Sequence, residues 1–511
     1  MPNEPSTGKR PRRRVFRTLL VVAALLVAGA GGLGIYYLQA SVDTVGEVDF
    51  SERLAIPPIA DSRVDAAGTR VFDLDIRAGE TRFLDGPATR TAGVNGAFLG
   101  PTIRAHRGEN LAFNVHNGLG ETTSLHWHGM HVPAAMDGGP HQTVAPGSLW
   151  TPKWTVAQPA ATLWYHPHLH GKTAEHVYRG VSGMFILDDD DTAAMNLLDT
   201  YGVDDLPVIV QDRTFDDDNQ FDDATPFLGN LGALGDELLV NGVHGPYVEV
   251  GSRLVRLRLL NASIARSYDF GFSDDRRFSL IGTDGGLLAA PWETTRLQLS
   301  PGERAEIVVA FRPGETTELR SYGGGEGLDG FTARVNGGAD RFDVLQFRAA
   351  DRLTDTTEVP AVLGAAPDVD VADVARMRSF ELAGREINGA TMDMDRVDFA
   401  VRKGTTEVWE VVNTNGYPHN FHVHDVQFQV LDVAGGAPPP PLRGWKDTVL
   451  LAQDKEYRLA MRFSDYSDPD SPYMYHCHLL THEDEGMMGQ FVVLGDGEET
   501  GGIPDSWHDH P

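Results

Sequence analysis

A single cysteine, Cys477, serves all 511 residues, which excludes an intrachain disulfide. Basic residues are also in short supply, with 43 Lys and Arg against 73 Asp and Glu and a formal net charge of −30. A nucleic-acid partner is not expected at that charge. Six of the bases and one of the acids fall before residue 38, so the remainder carries a charge near −35. That is suited to solubility and, more weakly, to concentrating cations. Long amphipathic helical patterns are scarce. What is plentiful is glycine (56) and proline (30), as expected for many turns between short strands. Hydrophobic content of 41% is enough for packed cores. The length is too great for one ordinary domain, and three is the natural expectation.

The N-terminus differs from the rest. Six bases lie between Lys9 and Arg17, followed by an uncharged apolar run from about Leu19 to Tyr37. Arg13-Arg14-Val15-Phe16 resembles the twin-arginine export signal, so the twin-arginine machinery is an expected partner. Small-residue cleavage sites occur at Ala28-Gly29-Ala30 and, more weakly, ending at Ala40. The run is also nearly long enough to span a bilayer uncleaved, with its basic flank left inside. Residues 1–45 are therefore read as an export signal or membrane anchor, and 38 to about 60 as a stalk.

The chain repeats itself. Asn-Gly occurs at 95–96, 241–242 and 388–389. Each pair is followed by an alternating strand ending in asparagine: Leu111 to Asn117, Leu254 to Asn261, Val408 to Asn413. Each copy closes with an apolar strand: Gly183 to Leu187, Ile307 to Phe311, Gly489 to Leu494. Period-two alternation between regular turn signals predicts an all-β chain of three consecutive antiparallel Greek-key β-sandwich domains. Their expected bounds are 60–195, 200–353 and 374–495. A Pro/Ala/Asp-rich linker runs from about 354 to 373, and a polar tail covers 496–511. Nine residues beyond the closing asparagine lie His126 in the first copy and His422 in the third. The same step in the middle copy lands on Phe270, with Phe272 following. The first and third copies are thus expected to face each other across a histidine site, with the middle copy as spacer.

Those histidines come in pairs: His126-Trp127-His128, His166-Pro167-His168, His422-Val423-His424 and His476-Cys477-His478. Nineteen histidines scattered at random would give roughly one His-x-His along such a chain, and this one has six. On a strand the two imidazoles share a face about 6.5 Å apart, which suits two neighbouring ions better than one. Cys477, His482 five residues on and Met487 five further supply the thiolate, one imidazole and the weak thioether of a blue-copper site. His419 can provide the second imidazole. If 473–479 form a strand, His476 and His478 face one way and Cys477 the other. One tripeptide would then touch two metal centres, which reads as an electron path.

Four motifs stand in order along the chain: His-Trp-His-Gly (126–129), Trp-Tyr-His-Pro-His (164–168), Pro-His-Asn-Phe-His-Val-His (418–424) and His-Cys-His-x3-His-x4-Met (476–487). In these, and over roughly 65 to 495, the chain resembles the multicopper oxidases of the laccase, bilirubin oxidase and bacterial copper-efflux oxidase group. The resemblance implies three cupredoxin-like domains and four copper ions. The type 1 copper would take His419, Cys477, His482 and Met487. The type 2 copper would take His126 and His422, and the type 3 pair His128, His166, His168, His424, His476 and His478. It also implies that Glu483 and Asp137 supply protons for reducing O₂ and that Cys477 receives each electron. His170, in His-Leu-His-Gly, is read as supporting and not ligating. His106, His116, His131, His141, His176 and His244 are left out, as are His508 and His510 in the tail. The reducing substrate is expected to be a phenol or aromatic amine. Cu(I) is the alternative, but the 12 methionines form no rich insert, and Met392 and Met394 read as a turn. A copper-binding envelope protein without turnover is the remaining alternative.

Overall fold

The three Asn-Gly pairs are built alike. In the computed structural model, which describes residues 37, 40–226, 228–324, 328, 330–356 and 358–499, Asn95, Asn241 and Asn388 have φ of 56°, 51° and 54°. Asparagine tolerates this left-handed region because its short amide bonds locally. Each carboxamide oxygen accepts a backbone N–H, from Asp75, Ile209 and Glu381 respectively. Each carboxamide nitrogen donates to the carbonyl two residues earlier on the facing strand, at Asp73, Pro207 and Ser379. The strand-closing asparagines repeat as well. Asn117, Asn261 and Asn413 each donate to two carbonyls of the loop and strand beyond them and accept the N–H two residues on.

Six sheets follow from this. Four- and six-stranded sheets come from the first copy, six- and seven-stranded sheets mainly from the second, and two five-stranded sheets from the third. The sheets are mixed, not purely antiparallel as expected. Arg70–Thr81 runs parallel to Asn110–Asn117, Asp205–Arg213 to Leu254–Asn261, and Val374–Ala383 to Thr405–Asn413. A Greek-key connection crosses to the opposite sheet and back, so it returns beside the first strand in the same direction. Register is equivalent in all three copies, with Ile76, Val210 and Leu382 opposite Asn117, Asn261 and Asn413.

Each copy has its own apolar core, around Phe72 and Phe113, around Phe270 and Phe347, and around Trp409 and Phe491. The third core extends outward. It takes in Ala134 and Val177 from the first copy, Leu231 and Ile264 from the second, and Cys477 and Met487 from its own. The candidate thiolate site therefore lies where three units meet.

The reading of a stalk is corrected. Glu52 and Arg53 extend a sheet of the middle copy beside Pro246 and Tyr247. The Val42 N–H donates to Asp340, and Phe50 and Leu54 are buried. The open edge of that sheet offers unpaired backbone groups, and scattered apolar residues in a polar segment suffice to dock on it. The 354–373 segment is tied down at intervals, with Leu363 donating to the Ala289 carbonyl and Val369 to Gln429. The expected export segment lies outside the described residues except for Tyr37 and 40–45, and the tail beyond Glu499 lies outside them too. No helix among the described residues is long and apolar enough to cross a membrane.

Candidate metal centre

Strand pairing assembles the histidines. His126–His128 pairs antiparallel with Ala161–His166, placing His126 opposite His166. His419–Val423 pairs with Asp468–His476, placing His422 opposite His476. The strand ends at His476, short of the expected 479, because the chain turns into the helix Leu480–Asp484. Alternation persists past that end, since His476 and His478 enter the histidine cluster while Cys477 enters the other site.

All eight paired imidazoles are buried. Hydrogen bonds on the outer nitrogens of His126, His128, His166, His422 and His424 decide which nitrogen of those rings is bare. His126 donates from Nδ1 to the Asp137 carbonyl (2.9 Å) and His422 from Nδ1 to the Asp447 carbonyl (2.8 Å). Their Nε2 atoms are buried without any partner. His166 donates to the Pro167 carbonyl and His424 to Asp137 Oδ2. His128 turns its Nε2 to Asp447 Oδ1, 3.2 Å away. The inner nitrogens then meet one another. His168, His424 and His476 bring Nε2 atoms together at 3.2 Å about His476. His128 Nδ1, His166 Nε2 and His478 Nε2 lie at 3.4 Å about His166. Lone pair facing lone pair is unfavourable unless a cation lies between. Two nitrogens on one ion about 2 Å away at a tetrahedral angle stand about 3.3 Å apart.

The second site is a triangle. His419 Nδ1, Cys477 Sγ and His482 Nδ1 are separated by 3.4, 3.6 and 3.0 Å. Its centre lies about 1.9 Å from each atom, close to a metal–imidazole bond length. His482 Nε2 donates to the Asn230 carbonyl at 2.8 Å, which leaves Nδ1 bare. Met487, fully buried, is linked through its carbonyl to the Cys477 N–H. Neutral donors are what burial produces here. It pulls His168 and His419 down to about 3 and holds His128, His166, His422, His424, His478 and His482 well below the usual imidazole range. Burial pushes the Cys477 thiol up to about 12, so its thiolate needs a cation. Eleven nitrogen and sulfur side chains in this arrangement, with one thioether beside them, fit copper.

Both acids singled out in the sequence lie behind these rings. Glu483 stands 3.3 Å from His168 Nδ1 and 3.1 Å from His476 Nδ1. Burial pushes its carboxyl up, but the two imidazoles hold it well below the usual range. Asp137 reaches His424 Nδ1 at 2.7 Å and His126 Nδ1 at 3.4 Å. Among the described residues, none of the histidines left out joins a group of converging donors. His131 lies instead between Asp425 and Asp465, which raise it to about 10 against the pull of burial. Sequence reasoning missed Asp447 and Arg304, both fully buried beside His128. The available signal was a charged pair, Lys446-Asp447, inside the apolar stretch Trp445 to Leu451.

Sequence models described as multicopper oxidase match residues 75–192 and 366–496. The chain is 36% identical over 459 residues to cell division protein FtsP of Xenorhabdus nematophila, covering 86% of this chain and 92% of the relative. It is 34% identical over 450 residues to multicopper oxidase mco of Staphylococcus haemolyticus, with the same coverage. Among solved structures, a laccase-like multi-copper oxidase CueO from an Ochrobactrum species superposes with a TM-score of 0.77 at 35% identity, covering 86% of this chain and all of that one.

Proposed function

Since the chain belongs to the multicopper oxidase family, we propose that it oxidises a small phenol or aromatic amine one electron at a time and passes four electrons to dioxygen. The type 1 position is assigned to His419, Cys477, His482 and Met487, and the type 2 position to His126 and His422. The type 3 pair divides into His128, His166 and His478 on one side and His168, His424 and His476 on the other. Copper bound at these four positions supplies the one-electron transfers and the reduction of O₂ to water.

The protein's part is to bind, connect and hold protons. Cys477 is joined through its own backbone to His476 and His478, so the donor site and the histidine cluster share one covalent path. Glu483 stands 3.3 and 3.1 Å from the outer nitrogens of His168 and His476, and Asp137 stands 3.4 and 2.7 Å from those of His126 and His424. Their closeness to these rings supports a proton-relay role for each. The observation that carries the reading is the set of bare imidazole nitrogens turned on one another. Similarity alone does not choose between turnover and a scaffold, because relatives named for cell division and for oxidation match about equally well. The complete donor set supports turnover.

An organic donor is supported by what covers the type 1 edge. The Asn230 carbonyl there accepts from both His482 and Arg385, and Arg385 also donates to the Tyr417 hydroxyl. None of these is a soft ligand for Cu(I). Met392 meets this loop through its backbone N–H, on the Gly486 carbonyl. The Ochrobactrum enzyme, for its part, has oxidase activity towards lignin model compounds and lignosulfonate. We place the protein outside the cytoplasm, exported by the twin-arginine route and either cleaved or anchored.

Copper-loaded protein should hold four coppers per chain with a strong blue thiolate band. Two or fewer without colour would favour a scaffold. Oxygen uptake with a phenolic dye and with Cu(I), side by side, decides the substrate class, and uptake with Cu(I) alone would overturn the organic reading.

A further inference from the structure

The middle copy bears phenyl rings where its neighbours bear imidazoles, yet one of its side chains reaches the histidine cluster. Arg304 forks onto Asp447, with Nη1 2.7 Å from Oδ1 and Nη2 2.6 Å from Oδ2. Asp447, from the third copy, holds two cluster rings at once. Its Oδ1 accepts from His128 Nε2 of the first copy (3.2 Å), and its carbonyl accepts from His422 Nδ1 (2.8 Å). These two rings stack 3.8 Å apart. Space here is already filled, because a Cβ on Gly129, the glycine of the His-Trp-His-Gly motif, would lie 2.6 Å from Asp447 Oδ2 and 2.7 Å from Arg304 Nη2. Asp284 and Lys446, also buried, back the pair from behind.

We infer that Asp447, clamped by Arg304, is a positioning residue for two rings of the cluster, His128 of the type 3 pair through its carboxylate and His422 of the type 2 position through its carbonyl. The middle copy therefore sets the geometry of a site to which it contributes no ligand. The inference rests on the copper reading above. Asp447 is not itself suited to ligate, since Arg304 takes both oxygens and Oδ1 also accepts from Thr448 and His128. Its effect is to fix ring orientation and tautomer. With His128 Nε2 and His422 Nδ1 held outside, His128 Nδ1 and His422 Nε2 must face inward. Carboxylates that hold the second nitrogen of a ligating histidine typically change metal affinity 10- to 100-fold, that is, by about one to two decades.

The test uses the full copper-loaded chain and reads copper per chain, the blue band and the type 2 paramagnetic resonance signal. Arg304→Lys keeps the buried charge but loses the fork. It should fold, keep its blue band and show a shifted type 2 signal. The pair Arg304→Gln with Asp447→Asn removes both charges together and leaves none uncompensated. It should keep the blue band while the cluster, loosened at His128, binds copper roughly 10- to 100-fold more weakly. A wild-type signal and affinity in either variant would overturn the inference and reduce the pair to a folding contact. A wild-type chain that takes up no copper would instead overturn the functional reading itself.

Discussion

Without its metal this protein should be acid-labile, by an amount the buried rings determine. Eight imidazoles of the candidate metal centre have folded-state pKa values well below the usual range: His128, His166, His168, His419, His422, His424, His478 and His482. In the unfolded chain each titrates near its ordinary value of about 6.5. Below that pH the unfolded state takes up protons that the folded state refuses. Stability is therefore fully present above about pH 6.5 and is lost progressively as pH falls toward the folded values. Between pH 7 and 5.5 each ring costs about 1.2 kcal/mol and the eight together about 10 kcal/mol. Groups with raised values work the other way. Burial raises Asp484 to about 7 and Asp269 and Asp284 to about 6, and carboxylates raise His131 to about 10. Over the same interval these four return about 4 kcal/mol. The net loss of about 6 kcal/mol is a large part of the 5–15 kcal/mol that holds ordinary proteins folded. Denaturant unfolding of metal-free protein at pH 7 and 5.5, followed by circular dichroism, should show that loss. Copper-loaded protein should be more stable at both pH values but should lose at least as much between them, because a ligated nitrogen refuses the proton as a buried one does while the unfolded chain still takes it up. Equal midpoints at the two pH values without metal would refute the reasoning.

Three further outcomes are expected. Cys477→Ser should abolish both the blue band and oxygen consumption while the fold and the histidine-bound copper survive; colour and uptake that persist would remove the sulfur from the electron path. Glu483→Gln should keep copper and colour but slow oxygen reduction by on the order of 100-fold, about 2.7 kcal/mol in the barrier, and a native rate would rule this carboxyl out as proton source. Asn241→Ala removes two buried amide bonds and leaves a β-carbon residue at φ 51°. It should lower stability by about 2–4 kcal/mol without touching copper content.

The fold was readable where local chemistry repeats. Asn-Gly is the turn signal whose amide then bonds two strand residues, so Asn95, Asn241 and Asn388 announce three copies in advance. Pairing direction was not readable, because alternation along Val374–Ala383 is the same whether its neighbour runs parallel or antiparallel. The docking of 42–56 escaped because the sheet edge that receives it, at Pro246–Ser252, is about two hundred residues away. At the site, residue type and spacing picked out the twelve candidate donors. They could not divide the six histidines proposed for the type 3 pair into two sets, which depends on how close His166 and His476 come to rings on other strands. Asp447 carries no motif. Its relation to His128 exists only because the strand Thr448–Leu451 lies beside His419–Val423 at the seam with the first copy.

That seam explains how one repeated unit yields two different outcomes. All three copies hold the backbone after the closing asparagine by the same pair of carbonyl bonds. The positions nine and eleven residues on are therefore presented alike in each. In the middle copy these positions are Phe270 and Phe272, fully buried against Phe278 and Phe347, and the strand does nothing but pack. In the outer copies the same positions face each other, and a buried imidazole there has no apolar partner to satisfy it. Histidine at such a position is tolerable only as part of a set that shares cations, so a donor is not expected to be lost singly without loss of the rest. Placing one histidine at 270 should accordingly create no metal site. It would bury a lone ring in an apolar core at a cost of roughly 2–4 kcal/mol, measurable as lowered stability with copper content unchanged. A fifth copper in Phe270→His protein would refute the view that only the facing of copies one and three makes the cluster.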